Sequence, residues 1–426
     1  MKSVRFGVAA VAATLSAGAA TTAEGAGFYI KEQSVTGLGR AFAGEAAIGE
    51  DASTIYFNPA AMTELSRAQA VAGAHLLVPR SQLTNTGSTY LFNGAPIGSI
   101  AGTESGNPYD PTPVPNGFAA APFLDGDLWV GVGVTAPFGL ANAYDPNWFG
   151  RYDSIETELT TINVQPAVAY RINDMLSVGG GVDIQYADAK LTNALFAGPG
   201  NPDVITDLQG DDWTVGFDVG VLFKPLPTTR IGVHYRSAVT HDLEGQFVAT
   251  QAGTVLVRTP GSAQLKLPDI VEVGVAHEAT PALTLLGEVT WTGWDSFDEI
   301  RVQRPGFPDS AILQGYENSF AVALGAQYEL DGNWTLRAGI QYDETPTEGG
   351  FRSSRTPDGD RTWLTAGFSY QVGRNFVLDA AYAHIFISEE TVDLTRTGAV
   401  PALSTRIRAE TEGSVDIVSV GLRYLF

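Results

Sequence analysis

The side chains that most often carry catalysis or metal binding are scattered along this 426-residue chain. The chain has no cysteine, and no nucleophile elbow, phosphate-binding loop or paired-carboxylate motif occurs in the context that its chemistry needs. The sequence therefore predicts a protein that is not an enzyme and that uses neither a metal ion nor a cofactor. The five histidines, none at the spacing of a metal site, are His75, His234, His241, His277 and His384.

Charge and the N-terminus restrict the class of protein further. Lysine and arginine number 25 against 47 aspartates and glutamates, and the net charge of -22 argues against nucleic acid as a partner. Lys2 and Arg5 precede an apolar stretch over residues 6–20 that is too short to cross a bilayer, and small residues follow it. We therefore predict a signal peptide over residues 1–25, after which no stretch of about 18 apolar residues remains for a membrane helix.

Most of the remaining chain alternates apolar and polar residues, which is the pattern of strands with one apolar face. Trp213, Val215 and Phe217, for example, alternate with Thr214 and Gly216. Both a soluble sandwich and a membrane barrel contain such strands. The segments are about 9–15 residues long, whereas soluble strands average about 5–6 residues and membrane-barrel strands need about 9–11. Their length favours an all-β fold, an antiparallel transmembrane β-barrel.

The number and spacing of these segments predict the organisation of the barrel. We find fourteen, an even number that suits a closed bacterial barrel. Short turns alternate with long loops, which include residues 192–210, 250–260 and 389–412. Because short turns lie on the periplasmic side, we predict that both chain termini are periplasmic. The predicted strands lie near 68–80, 116–124, 127–140, 156–172, 175–191, 211–224, 229–249, 261–278, 282–303, 315–329, 333–344, 361–372, 375–388 and 413–426.

The third predicted strand contains a break. Pro137 lacks the N–H that a strand ladder needs, and Gly139 tolerates backbone angles that other residues avoid. An unpaired backbone group in lipid costs several kcal/mol unless protein or water satisfies it. The break therefore indicates a functional opening in the wall, although the start of a loop would explain the same residues.

Residues 26–67, ahead of the strands, lack alternation and are rich in glycine and alanine, which fits a compact plug. Their motifs resemble the N-terminal hatch of the FadL-type outer-membrane transporters. That family imports long-chain fatty acids and, in TodX-like members, aromatic hydrocarbons. The resemblance covers nearly the whole chain after residue 25, and its clearest motifs are Gly37-Leu38-Gly39-Arg40-Ala41, Gly44-Glu45-Ala46-Ala47-Ile48, Asn58-Pro59-Ala60, Phe138-Gly139-Leu140 and Pro357-Asp358-Gly359-Asp360-Arg361.

The resemblance implies roles for particular residues. It implies that a small N-terminal hatch plugs the barrel, residues 68–426, and that Gly27 and Phe28 contact the ligand. It also implies a gate within the hatch and an inward kink of the third strand that opens laterally towards the membrane. The gate residues are Asn58, Pro59 and Ala60, and the kink residues are Pro137, Phe138, Gly139 and Leu140.

Basic residues determine which ligands the site accepts. About ten methylenes at about 0.8 kcal/mol each contribute more affinity than one charge-assisted hydrogen bond of about 1.5–3 kcal/mol. An acid head group is nevertheless costly to bury without a cation. The family's arginine after the run at residues 186–190 is absent here, so our candidates for substrate binding are Arg301, Arg352 and Arg361. Salt bridges with the excess acid are the alternative role for all three.

Together these predictions describe an outer-membrane protein of a Gram-negative bacterium, in contact with outer-membrane lipid and lipopolysaccharide. The last strand ends on Phe426, which resembles the signal that the barrel assembly machinery reads. We predict passive transport of long-chain fatty acids or similar hydrophobic molecules, through binding in the lumen, hatch rearrangement and lateral exit at the third strand. The alternatives are an aromatic-hydrocarbon channel of the same fold and, from another class, a surface adhesin or structural barrel.

Overall fold

The computed structural model describes residues 27–426, so the predicted signal peptide lies outside the described residues. Residues 27–67 form the hatch, which is built from short helices and turns. No helix within residues 27–426 is long and apolar enough to cross a membrane. The helices of the hatch are α1 (Val35–Leu38), α2 (Glu45–Ile48), α3 (Thr54–Phe57) and a 3-10 helix at Pro59–Glu64.

Local sequence signals begin and end these helices. The Ser34 hydroxyl accepts a hydrogen bond of 3.0 Å from the Gly37 N–H and so caps α1. The Asn58 side chain accepts one of 3.0 Å from the Ala60 N–H, and Pro59 supplies the first residue of the 3-10 helix. The hatch is therefore a series of single turns, each held by its own cap.

Fourteen antiparallel strands close into a barrel around the hatch, as predicted. The barrel closes where the first strand pairs with the last, from Gln69↔Leu425 to Asn85↔Ala409. A small hairpin, Thr89–Phe92 and Ala95–Ser99, follows the first strand. The strands are β1 (Gln69–Asn85), β2 (Thr112–Phe123), β3 (Leu128–Thr135 and Gly139–Ala143), β4 (Glu156–Asn173), β5 (Leu176–Leu195), β6 (Val204–Leu226), β7 (Thr229–Arg236 and Val239–Gln251), β8 (Thr254–Leu267 and Ile270–Thr280), β9 (Leu283–Thr292 and Glu299–Gln303), β10 (Ser310–Leu313 and Ser319–Glu329), β11 (Trp334–Asp343), β12 (Arg361–Val372), β13 (Phe376–Thr397) and β14 (Leu403–Leu425).

The apolar faces of the strands point outwards, as a barrel in lipid requires. On β6 the side chains of Trp213 and Val215 are 61% and 66% exposed, whereas the alternate residues Asp218 and Leu222 are buried inside. A soluble sandwich would bury the apolar set instead. The direction of the apolar face therefore settles the choice between the two architectures that share this alternation.

Several strands extend beyond their predicted ends, mainly at the loop end of the barrel. The predicted loop at residues 389–412 is mostly strand, because Glu390–Thr397 of β13 pairs with Ser404–Thr411 of β14. The predicted long loop at residues 250–260 was also wrong, since β7 and β8 meet in a tight turn after Gln251. Both errors have the same cause: apolar alternation stops where a strand leaves the lipid, but its backbone pairing continues.

Glycines on the inner wall allow the hatch to pack directly against the strands. A methyl group on Gly179 would lie 2.5 Å from the Ala60 nitrogen, and one on Gly232 would overlap the Ala46 carbonyl oxygen. Since both neighbours are backbone atoms, neither can move aside without shifting the hatch. These glycines are thus places where the hatch and the barrel wall meet at backbone contact.

Gly179→Val is therefore expected to push the hatch away from the wall. Overpacking of this kind costs about 1–3 kcal/mol, so we expect a lower melting temperature and a higher conductance in planar bilayers. Gly332→Ala is the control, because a methyl group there has no neighbour within 4 Å. Equal conductance and stability for both variants would contradict this account of hatch packing.

Candidate ligand-binding site

An apolar cavity of about 70 Å³ lies inside the barrel. Its walls are mainly leucine, isoleucine and alanine side chains from β3 to β9, and Phe28 of the hatch contributes to its surface. Arg355 and Thr356, from the segment between β11 and β12, line it as well. The apolar wall residues include Leu140, Leu159, Ala189, Leu191, Leu208, Leu243, Ala263, Leu265 and Ile300.

Phe28 lies within a cluster of aromatic rings at this cavity. Its ring centroid is 4.7 Å from that of Trp294 and 5.1 Å from that of Phe297, both in edge-to-face geometry. Tyr316 is 6.4 Å away and also lines the cavity. The structure thus brings the predicted residue Phe28 to the cavity, together with three aromatic residues that the sequence analysis did not select.

Gly27 fixes the position of Phe28. Its φ of +66° lies in the left-handed region, and a methyl group there would lie 2.8 Å from the Trp294 ring. Its N–H donates a hydrogen bond of 2.8 Å to the Asp358 carboxylate. Gly27 is thus held by the loop that precedes β12, and the same loop contains Arg355.

β3 is divided into two segments, and its backbone ladder is interrupted between them. The ladder between β2 and β3 ends at Gly117↔Val134, and beyond Gly139 the strand pairs only with β4. Pro137 and Phe138 lie in the interruption, while Gly139 and Leu140 begin the second segment.

Residues 28–33, which we call the arm, occupy this interruption. The Ile30 N–H donates to the Pro137 carbonyl oxygen at 2.8 Å, and the Gly139 N–H donates to the Phe28 carbonyl oxygen at 2.9 Å. The Gln33 side-chain amide donates to the Ala136 carbonyl oxygen at 2.9 Å and accepts from its N–H at 3.3 Å. The arm therefore supplies backbone partners that a neighbouring strand would supply elsewhere.

The proposed gate residues lie away from the cavity. The Asn58 amide donates to the carbonyl oxygens of Ala46 at 2.6 Å and of Val221, on β6, at 3.1 Å. Pro59 and Ala60 are fully buried in the same region. These contacts tie the hatch body to the barrel wall, and the role of these residues as a gate remains a prediction.

The three predicted arginines are not the cations that line the cavity. Arg301 is half-exposed and pairs with Glu299 at 2.6 Å. Arg352 is buried but pairs with Glu390 at 3.0 Å, and Arg361 is paired with Asp358. All three therefore have carboxylate partners, as the alternative interpretation of these residues expects.

Arg355 is the cation that lines the cavity, and the sequence analysis missed it. Its side chain is buried and donates to the Thr157 hydroxyl at 2.9 Å, and no carboxylate among residues 27–426 lies within ion-pair distance of it. Burial lowers the pKa of Arg355 to about 10, so the guanidinium stays protonated at neutral pH. No motif in the sequence distinguishes Arg355 from Arg352, because only the path of the loop places it at the cavity.

Asp153 holds the segment that carries Arg355. Its carboxylate accepts hydrogen bonds from the Ser353 hydroxyl at 2.8 Å, the Ser354 N–H at 2.7 Å and the Arg396 side chain at 2.7 Å. Burial alone would raise the pKa of Asp153, but Arg396, Arg355 and the serine donors lower it to about 2. The segment thus remains fastened over the cavity throughout the physiological pH range.

Glu32 is a buried carboxyl group of the hatch whose pKa is shifted by its surroundings. Both of its carboxylate oxygens are buried and have no hydrogen-bond partner among the described residues. Burial raises the pKa of Glu32 to about 7, and Asp343 adds to the rise, whereas Arg361 and Lys31 oppose it. Because the folded hatch favours the protonated acid, this stability is present below about pH 4 and is lost as the pH rises through 7.

We therefore expect the wild-type protein to be more stable at pH 5 than at pH 8, with Glu32 contributing on the order of 2–3 kcal/mol to the difference. Glu32→Gln carries no proton equilibrium, so it should make the profile less steep in this range, while Glu45, whose pKa burial also raises to about 7, keeps part of the slope. Chemical unfolding at several pH values measures the effect. An identical pH profile for the two proteins would show that Glu32 does not titrate on unfolding.

A closed barrel with an apolar exterior, a plugged lumen and an apolar cavity is the architecture of an outer-membrane transport protein. Family comparison agrees, since residues 16–426 match the family model described as outer membrane protein transport protein (OMPP1/FadL/TodX). The chain belongs to this family of Gram-negative outer-membrane proteins, which confirms the resemblance in its motifs.

Curated relatives and solved structures cover almost the whole chain. A long-chain fatty acid transport protein of Escherichia coli O6:H1 is 31% identical over 95% of this chain and 96% of its own length. Outer membrane protein P1 of Haemophilus influenzae is 30% identical over 90% of each chain. A Pseudomonas aeruginosa FadL homologue has a TM-score of 0.88 at 24% identity, covering 94% of this chain and 100% of its own. The Ralstonia pickettii toluene transporter TbuX has a TM-score of 0.67 at 20% identity, covering 92% and 97%.

Proposed function

We propose that this protein is a passive outer-membrane transporter of long-chain fatty acids. The observation that carries the proposal is an apolar cavity lined by Arg355, a buried cation with no carboxylate among the described residues within ion-pair distance, although Asp153 acts on it from further away. An acyl chain that enters this cavity as Phe28 moves aside removes apolar surface from water, at about 0.8 kcal/mol per methylene. Arg355 and the Thr157 hydroxyl then offer donors to a carboxylate that would otherwise be costly to bury.

The named relatives support this substrate class. The Escherichia coli relative, 31% identical along nearly its full length, is named a long-chain fatty acid transport protein. A smaller aromatic hydrocarbon is the second candidate, because Phe28, Phe297 and Tyr316 present ring surfaces to the cavity. An aromatic ligand would use these rings and would not need Arg355.

In the proposed mechanism the ligand displaces Phe28 and with it the arm. The arm bonds to the interruption in β3 through Ile30 and Gln33, so its displacement also uncovers that interruption. The ligand then leaves laterally through the wall near Gly139. Diffusion down a concentration gradient is sufficient to drive this movement.

The hatch body stays fixed while the arm moves. Asn58, Pro59 and Ala60 are held against the wall by hydrogen bonds and by contact with Gly179, so they act as the fixed side of the gate. We further propose that short turns and both chain termini face the periplasm, that lipopolysaccharide surrounds the loop end, and that the barrel assembly machinery reads β14 and Phe426.

Growth of a deletion strain, with and without this chain, on oleate or on toluene as the sole carbon source tests the substrate. Rescue on oleate alone is the expected result. Rescue on toluene alone would replace the fatty acid by the aromatic candidate. Rescue on neither, with the protein correctly inserted, would overturn both and favour the adhesin or structural alternative.

A further inference from the structure

The seam between β8 and β9 lacks backbone pairing over part of its length. The two strands pair at Ala263↔Val302 towards the loop end and again from Ile270↔Thr292 downwards. Between these positions a single backbone hydrogen bond crosses the seam, from the Gly293 N–H to the Asp269 carbonyl oxygen at 2.9 Å. A regular antiparallel ladder of this length would form about five.

The interruption follows from the local sequence. A 3-10 turn at Trp294–Ser296 takes β9 out of the ladder, and Pro268 on β8 has no N–H to donate. The turn buries Trp294 completely and places its ring 4.7 Å from that of Phe28. The same turn that interrupts the ladder therefore contributes Trp294 to the aromatic cluster at the cavity.

Apolar side chains close this part of the wall in place of backbone bonds. Leu265 and Leu267 of β8 are buried in the same cluster as Trp294 and Phe297. Apolar contacts are non-directional, whereas each backbone group unpaired in lipid costs several kcal/mol. Separating the strands at this seam therefore costs less than separating them where the ladder is complete.

The apolar cavity lies directly behind the seam. Leu265 of β8, Ile300 of β9 and Phe297, which lies between the two segments of β9, line it. On the outer surface Lys266 is exposed, whereas Val273, further along β8, belongs to the exposed apolar belt and is 44% exposed. The seam thus lies at the edge of the apolar belt, between the surrounding lipid and the cavity.

We propose that the β8–β9 seam is a second lateral window, through which an acyl chain passes between the surrounding lipid and the cavity. The identity of the ligand in this proposal rests on the proposed function, but the geometry of the β8–β9 seam is independent of the interruption in β3. Since Phe28 and Leu140 line the same cavity, a ligand admitted at β8–β9 reaches the arm and the β3 interruption without crossing the open loop end.

Quenching of Trp294 by dibromostearate in proteoliposomes tests the window. The rate is measured by stopped flow, and the signal of Trp294 is the difference between the full chain and Trp294→Phe. Two variants change the seam in opposite directions. Leu267→Ala removes part of the apolar side-chain contact that closes the seam. Lys266→Cys can be modified on the outer surface with a bulky polyethylene glycol maleimide, and the modification is specific because the chain has no native cysteine.

We expect Leu267→Ala to accelerate quenching and the modified Lys266→Cys protein to slow it about fivefold or more, because a blocked gate limits the rate of passage. The unmodified Lys266→Cys protein and the reagent-treated parent protein are the controls for the chemical modification. The control for Leu267→Ala is Leu286→Ala, because Leu286 is also buried but lies where β9 is fully paired; this variant should not accelerate quenching. Equal rates in all proteins, or no quenching of Trp294, would overturn the window. Window-dependent quenching in a protein that fails the growth test would instead overturn transport and leave the window standing.

Discussion

Arg355→Leu is expected to reduce oleate uptake about 10- to 150-fold, the equivalent of losing a charge-assisted hydrogen bond of about 1.5–3 kcal/mol. The physical reason is that no other cation among residues 27–426 lines the cavity, so the bound carboxylate would be buried without a charged partner. Uptake of an uncharged hydrocarbon such as toluene should be preserved, because the leucine side chain extends the apolar wall of the cavity. Uptake of radiolabelled oleate and of toluene by cells measures both effects.

The controls for Arg355 separate charge from structure. Arg355→Lys keeps a positive charge and should retain part of the oleate uptake, although it loses the two-pronged geometry of a guanidinium. Arg258→Leu, at an exposed position on β8, should leave uptake unchanged. If Arg355→Leu transports oleate at the normal rate, the carboxylate does not bind at Arg355 and our assignment of the head-group site is wrong.

Fixing the arm to the wall should stop transport almost completely. Tyr29 and Phe138 form an isolated antiparallel bridge, and Cα atoms paired in this way are about 4.5–5.5 Å apart, a distance that suits a disulfide. In the double variant Tyr29→Cys/Phe138→Cys the oxidised arm can no longer leave the β3 interruption. We expect uptake to fall at least about 20-fold on oxidation and to return on reduction, because the arm gates the path.

A disulfide elsewhere in the wall controls for oxidation itself. Leu336 and Phe368 are paired between β11 and β12 on the lipid-facing side, so a disulfide between cysteines there should leave uptake unchanged. Mass spectrometry establishes that each cross-link is complete. Normal uptake by the fully cross-linked Tyr29/Phe138 variant would show that the arm remains in place during transport, and the proposed mechanism would be rejected.

The local pattern of the sequence was enough to predict the fold. Each barrel strand exposes one face to lipid and the other to the lumen, so the alternation in β6 at Trp213 and Val215 is a direct result of its surroundings. Pro137 signals the break in β3 equally directly, because a missing N–H is a property of the residue itself. The limits of β13 and β14 were misjudged, since backbone pairing above the lipid leaves no apolar pattern.

The candidate binding site was predicted only in part. Phe28 was selected through the family resemblance, and the structure places it at the cavity. Arg355 was missed because its surroundings come from residues far apart in the chain: Thr157 binds its side chain, and Asp153 fastens the segment that carries it. Trp294 and Tyr316 were missed for the same reason, since their rings meet Phe28 only through the fold, at the places where β9 and β10 are each divided into two segments.

The sequence alone thus establishes a plugged outer-membrane barrel, because apolar alternation, strand length and the composition of the hatch are properties of short segments. The tertiary structure was needed to show which cation faces the cavity, how the arm fills the interruption in β3, and where the β8–β9 seam lacks pairing. Each of these depends on contacts between residues more than 100 positions apart or on the register between neighbouring strands. Neither kind of information is contained in the order of residues within a single segment.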